Sequence, residues 1–257
     1  MLKRMELMTW EEFAEAAKQT KLVIVPIGAI EVQGPHLPLG VDSMAAEYAA
    51  TKVAEKSDAV LAPLITIGTS EWHKNFPGMI GLSRETLLDY LRQYCQCLAR
   101  NGFDHIFFIS PHVFNDDSVA TLALEMREQG VTIGLVNLWH VTADIAAAKK
   151  VNLKESKFTH AGEIMTSVMM AIAPETVKME KAVAENPSLP VPGAPMVAWS
   201  KYKFQDVNFS IYRFSNEETK SGSLGDPMAA TPEKGKVIID GFVDATVAFL
   251  KEFVKVK

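Results

Sequence analysis

SRETLLDYLRQYCQCLARNGFDHIFFIS, residues 83–110, holds one complete helix-to-strand unit and decides the fold class. Ser83 stands where a helix N-cap needs a side-chain oxygen, and Leu87, Leu91, Tyr94, Cys95 and Leu98 recur at helical spacing, giving one apolar face. Gly102 supplies the stop, and HIFFIS, residues 105–110, is the short apolar run of a buried strand. The alternation continues in both directions. TWEEFAEAAKQ (9–19) carries the Thr9 and Glu12 pair of a capping box and leads into LVIVPI (22–27), a second buried run. SMAAEYAATKVAEKS (43–57) is rich in helix formers and precedes the apolar AVLAPLITIG (59–68). Downstream, DSVATLALEMREQG (117–130) reads as a helix, VTIGLV (131–136) as a strand, and KVIIDGFVDATVAFLKEFVKV (236–256) as a long helix covering the sheet. Strands separated by helices imply right-handed crossovers and parallel pairing. The expectation is a single α/β domain over residues 1–257, a three-layer α/β/α sandwich with a mainly parallel central sheet. Residues 184–235, proline-rich at first and turn-rich at the end, are expected to be an irregular region within it.

The chain has 257 residues, 48% of them hydrophobic, enough for one sizeable core. A net charge of −5 with scattered basic residues excludes the electrostatic footprint of a nucleic-acid binder. No run approaches the roughly 20 apolar residues that span a bilayer, and MLKRMELMTWEEF lacks the apolar core of a signal peptide. A cytoplasmic protein with a small-molecule substrate, and neither a membrane nor a nucleic acid as partner, is therefore expected. Cys95 and Cys97 lie two apart in a helix, on different faces, and read as reduced thiols.

In parallel sheets ligands bind beyond the carboxyl ends of the strands. EVQGPHLPLGVD (31–42), Ser70 to His73, His112 to Asp116, and Trp139 with His140 each follow a strand and fall on that edge. His160 opens a further helix-like stretch, and His105 opens a strand. Within residues 31–42 no lysine or arginine neutralises Glu31 and Asp42. Two carboxylates and an imidazole from separate loops suit a divalent ion such as zinc or manganese and leave a position open for water. Structural readings stand beside this one: Asp42 as a helix cap, His36 bonding its own loop, His73 and His140 as satisfied wall residues, Glu163 as a solvated helix carboxylate.

Five stretches, GAIEVQGPHLPLGVD, HKNFPGMIGLSRETL, FFISPHVFND, HAGEIMTS and SGSLGDPMAATPEKG, resemble in order the successive signatures of the creatininase (creatinine amidohydrolase) family. The resemblance implies an α/β/α fold, a divalent-metal hydrolase and a homo-oligomer, commonly a hexamer. Glu31, His36, Asp42, His112, His160 and Glu163 match the family pattern. Gln33 replaces its first histidine, Phe114 stands where creatininase supplies a metal-binding glutamate, and Met165 replaces a second glutamate. The resemblance thus implies that Glu31, Asp42 and His112 hold one ion (zinc, manganese or iron) while the other ion has lost its ligands. It also implies His160 as proton shuttle, Glu163 as the group orienting it, and His36, His73 and Trp139 as pocket residues. The expected reaction is hydrolysis of a C–N bond in a small cyclic amide or formamide by a metal-activated water. Cleavage of a cyclic diketone such as an oxidised inositol, or a non-catalytic oligomeric small-molecule binder, are the alternatives; survival of one whole set of ligands argues for catalysis.

Overall fold

A computed structural model describes residues 2–155, 159–198 and 200–257; Trp199, within the stretch expected to be irregular, lies outside the described residues. Five strands form the main sheet: β1 (Lys3–Arg4), β2 (Leu22–Pro26), β3 (Val60–Leu61), β4 (His105–Ser110) and β5 (Thr132–Asn137). Their order is β1-β3-β2-β4-β5 and every pairing is parallel, with Leu22 opposite His105 and His105 opposite Thr132. The connecting helices are α1 (Trp10–Gln19), α2 (Val41–Glu55), α3 (Arg84–Arg100), α4 (Val113–Arg127), α5 (Leu138–Ala148) and α6 (Glu163–Ile172). Thr9 and Glu12 form the expected capping box on α1, and the Ser83 hydroxyl accepts from Thr86 N–H at the start of α3.

Alternation along the strands builds two cores. In β2, Leu22 and Ile24 face one side and Val23 and Val25 the other; in β4, Phe107 and Ile109 oppose Ile106 and Phe108. One core takes Ala45 and Ala49 of α2, Leu138 of α5 and Ile164 of α6, and the other takes Ala16 of α1, Leu87 and Leu91 of α3 and Leu122 of α4. The three-layer α/β/α sandwich is the result.

Two segments differ from the sequence expectation. Residues 59–68 contribute only the two-residue β3 and a lone bridge from Ile65 to Ile27, because Pro63 has no N–H to give a ladder. Residues 184–235 hold order of their own: an antiparallel sheet of β6 (Met196–Ala198), β7 (Lys201–Phe204) and β8 (Val207–Ser210), then α7 (Ser215–Glu218). Gln205 and Asp206 turn β7 into β8 with φ of 46° and 65°, a left-handed pair that the usual Asn-Gly or Asp-Gly signal does not announce. The chain closes with α8 (Pro232–Phe253), which packs on α6 through Gly235, where a Cβ would stand 1.8 Å from the Ser167 carbonyl oxygen. Cys95 is buried and Cys97 exposed, as their spacing implies. Among the described residues, no helix is long and apolar enough to cross a membrane.

From β2 the chain crosses to β3 on one side and then back over β2 to β4 on the other. This reversal opens a crevice at the carboxyl ends of β2 and β4, where a parallel sheet binds its ligand.

Candidate metal centre

The stretches after β2 and after β4 deliver the first candidate ligands to that crevice. Glu31 is fixed by its backbone N–H bonding the Leu39 carbonyl oxygen, and α2 then begins close against the end of β2. Gly28 makes this approach feasible: a Cβ there would stand 2.4 Å from Ser43. Asp42 is therefore in the first turn of α2, but Gly40 is the residue at the cap, so the Asp42 carboxylate is not used as one. His112 precedes α4 and makes no capping bond through its ring.

These three side chains are buried and converge. His112 Nδ1 lies 3.5 Å from Glu31 Oε1 and 3.5 Å from Asp42 Oδ2. Ligands about 2.1 Å from one tetrahedral ion stand about 3.4 Å apart, so this spacing is that of a shared ion. The other ring nitrogen, Nε2, donates to the Thr69 carbonyl oxygen, which leaves the Nδ1 lone pair aimed at the acids. Trp139 Nε1 donates to Asp42 Oδ1 at 2.7 Å, and Gln33 Nε2 donates to Glu31 Oε1 at 3.3 Å and to Asp42 Oδ2 at 3.2 Å. Among the described residues no lysine or arginine pairs with either acid, and Glu31 Oε2 has no hydrogen-bond partner. Burial drives the Glu31 carboxyl upward in pKa; burial lowers His112, but the facing carboxylates overcome this and raise it. The cluster holds on to positive charge, as a proton or as a cation.

A second triad shares Glu31. His73, in a 3-10 turn over Glu71–His73, places Nε2 3.4 Å from Glu31 Oε1, and ligand atoms of Glu31, His73 and His160 all lie within 4.8 Å of one another. The His73 and His160 rings stack at 5.0 Å and 17°. Ser215, in α7, donates its hydroxyl to the Trp72 carbonyl oxygen and accepts from His73 Nδ1 at 2.7 Å. His160 Nε2 donates to the Val32 carbonyl oxygen at 2.8 Å. Ala161, next in the chain, sits at φ 54°, a left-handed turn for a residue with a Cβ. Burial lowers the pKa of both histidines, with His112 adding to the shift in each; at His160 the bond to the Val32 carbonyl and the Asp42 carboxylate oppose it, and the direction in both favours the neutral ring.

The three departures from the family pattern have distinct fates. Gln33 became the donor between the two acids. Phe114 packs its ring edge-on at 5.3 Å from His112, and Met165 is buried at the cavity wall. The cavity in front of the cluster measures about 1000 Å³ and is mostly apolar, with Pro187, Leu189 and Val197 from the 184–235 region on its outer side.

Two expected site residues do not line the cavity. His36 is buried, with Nε2 2.9 Å from Thr166 Oγ1, a bond that ties its loop to α6. Glu163 gives Oε1 to Lys234 Nζ at 2.6 Å and Oε2 to the backbone N–H groups of Lys154 and Glu155 at 2.8 and 2.9 Å. That carboxylate anchors the chain ahead of His160, whose ring donates to the Val32 carbonyl. His73, Trp139 and His160 do line the cavity. Sequence reasoning singled out Gln33 only as a replaced histidine and missed its donor role, together with Ser215 and the Thr69 and Val32 carbonyls; an amide at a family histidine position was the one visible signal.

The family model for creatinine amidohydrolase matches residues 6–250. The mycofactocin precursor peptide peptidase of Mycolicibacterium smegmatis is 28% identical over 238 residues, 90% of this chain and 85% of that protein. The 3-dehydro-scyllo-inosose hydrolase of Thermotoga maritima is 29% identical over 189 residues, 71% of this chain and 60% of that protein. A structure of creatininase with manganese superposes with a TM-score of 0.80 at 21% identity, covering 98% of both chains.

Proposed function

The chain belongs to the creatininase family, whose members are metal-dependent amidohydrolases, and on that premise we propose that it hydrolyses an amide C–N bond at an ion held by Glu31, Asp42 and His112. One observation carries this reading: two buried carboxylates and a histidine lone pair converge at the spacing of a shared ion, with no lysine or arginine among the described residues to neutralise them. The donor set fits zinc or manganese. Glu31, Asp42 and His112 would hold a divalent ion there, and the chemistry it would supply is Lewis-acid activation of a carbonyl and of water.

The chain's own residues do the rest. Gln33 and Trp139 hold the two acids in orientation, the Thr69 carbonyl fixes the His112 tautomer, and the apolar wall of Phe114 and Met165 keeps bulk water from the cluster. His160 lines the cavity, and its imidazole, when not engaged by a cation, is the group to which we assign the proton of the leaving nitrogen. A cavity of about 1000 Å³ exceeds the needs of a small cyclic amide, and its apolar lining favours a larger amide such as a peptide segment. Likeness to a 3-dehydro-scyllo-inosose hydrolase supports a second reading, hydrolytic C–C cleavage of a cyclic diketone at the same ion.

The test is metal content by elemental analysis on the wild type and on Asp42→Ala, followed by mass-spectrometric screening of peptides, lactams and inososes. Metal lost in the variant, with turnover of an amide that chelator removes, is the expected result. Metal content equal in both proteins overturns the assignment, and turnover of inososes alone selects the second reading.

A further inference from the structure

We propose that Glu31, His73 and His160 form a second divalent-cation site, beside the first and joined to it through the Glu31 carboxylate. The five side chains sort into two triads whose ligand atoms are mutually within 4.8 Å, and only Glu31 belongs to both. The family pattern would build its second site from the positions of Gln33 and Phe114, which here are an amide donor and a phenyl ring. This site occupies a different place, with histidines from the turn after β3 and from the loop before α6.

The chemistry of the two histidines carries the proposal. The Ser215 hydroxyl has one hydrogen and spends it on the Trp72 carbonyl, so it accepts from His73 Nδ1–H and leaves the His73 lone pair on Nε2. That lone pair stands 3.4 Å from a carboxylate oxygen. Two electron-rich atoms at this distance repel unless a positive charge lies between them. The separation equals the edge of about 3.4 Å between two ligands of one tetrahedral ion. His160 repeats the arrangement, with Nε2–H committed to the Val32 carbonyl and its lone pair on the other nitrogen. An outer acceptor that fixes the tautomer is the usual companion of a metal-binding histidine, and all three histidines around Glu31 have one. His73 Nε2 and His112 Nδ1 lie 3.4 and 3.5 Å from the same oxygen, Glu31 Oε1, so that oxygen faces both triads, and Oε2 is a buried atom without a hydrogen-bond partner among the described residues. When the second site is filled, the His160 lone pair is consumed and His160 is a ligand, not a proton carrier.

The proposal rests on the ion at Glu31, Asp42 and His112 only through the shared carboxylate, and the experiment separates the two. Full-length protein is stripped with chelator, dialysed against excess Mn²⁺ or Zn²⁺, and analysed for bound metal per chain. The expected result is about two ions in the wild type, about one in His73→Ala, and about one in His112→Ala. Ser215→Ala leaves every ligand in place and is expected to weaken one of the two ions by about 10- to 100-fold, guarding against misfolding of the histidine variants. Anomalous diffraction from manganese-soaked wild-type crystals is expected to give two peaks on either side of Glu31. One ion in the wild type that survives in His73→Ala overturns the second site and leaves the first. One ion lost in His73→Ala but kept in His112→Ala overturns the first site and supports the second. No metal in the wild type overturns both.

Discussion

Replacing Glu163 separates a structural from a chemical role for the one matched family acid that the cavity does not contain. Its carboxylate is fully buried and has three donors: Lys234 Nζ at 2.6 Å and the backbone N–H groups of Lys154 and Glu155 at 2.8 and 2.9 Å. Glu163→Ala leaves both N–H groups without their acceptor, at about 1–3 kcal/mol each. Lys234 retains the Ala229 carbonyl at 2.8 Å and a partly exposed side chain, so its own loss is smaller. The sum, roughly 3–5 kcal/mol, matches the usual cost of breaking a buried ion pair. In a chain of this size that lowers Tm by roughly 10 °C. Glu163→Gln keeps an oxygen for the two N–H groups and loses only the charge, so it is expected to cost about 1–2 kcal/mol. Urea and thermal unfolding measure both variants, with metal content and turnover per folded chain expected to stay near wild type in Glu163→Gln. A Tm within about 2 °C of wild type together with lost turnover would refute the structural assignment and return Glu163 to the chemistry.

Trp139→Phe removes the 2.7 Å bond to Asp42 Oδ1 and is expected to weaken metal binding by about 10-fold or more at unchanged stoichiometry; an unaltered Kd in a chelator competition titration rejects that role. Burial depresses the His36 pKa from 6.5 to about 4. The unfolded chain then binds a proton that the native chain refuses, so stability falls as pH drops from 6.5 toward 4, by up to roughly 3 kcal/mol. Urea midpoints across that window should fall less steeply in His36→Gln, and parallel slopes would show that His36 is not the group responsible.

The layers and the edge that carries the site were legible from residues 83–110 and their neighbours, because helix and strand periodicities are local and parallel sheets bind ligands at one edge. The β6–β8 sheet was not, since its hairpin turns through Gln205 and Asp206, a pair without the glycine of the usual two-residue hairpin signal. Among the site residues, Glu31, Asp42 and His112 could be expected together because each lies in the stretch between a strand and the body of the next helix and matches the family pattern. What the sequence by itself determined, then, is the sandwich, its binding edge and the residue types brought there. Only the tertiary structure decided how they divide: His73 and His160 turned toward Glu31, Gln33 placed between the acids, His36 and Glu163 spent on holding α6 and the chain before it. Those outcomes depend on contacts between residues far apart in the chain, such as Ser215 with His73 and Lys234 with Glu163. No local periodicity encodes them, because a buried polar group takes whichever partner the packed layers bring within hydrogen-bond reach.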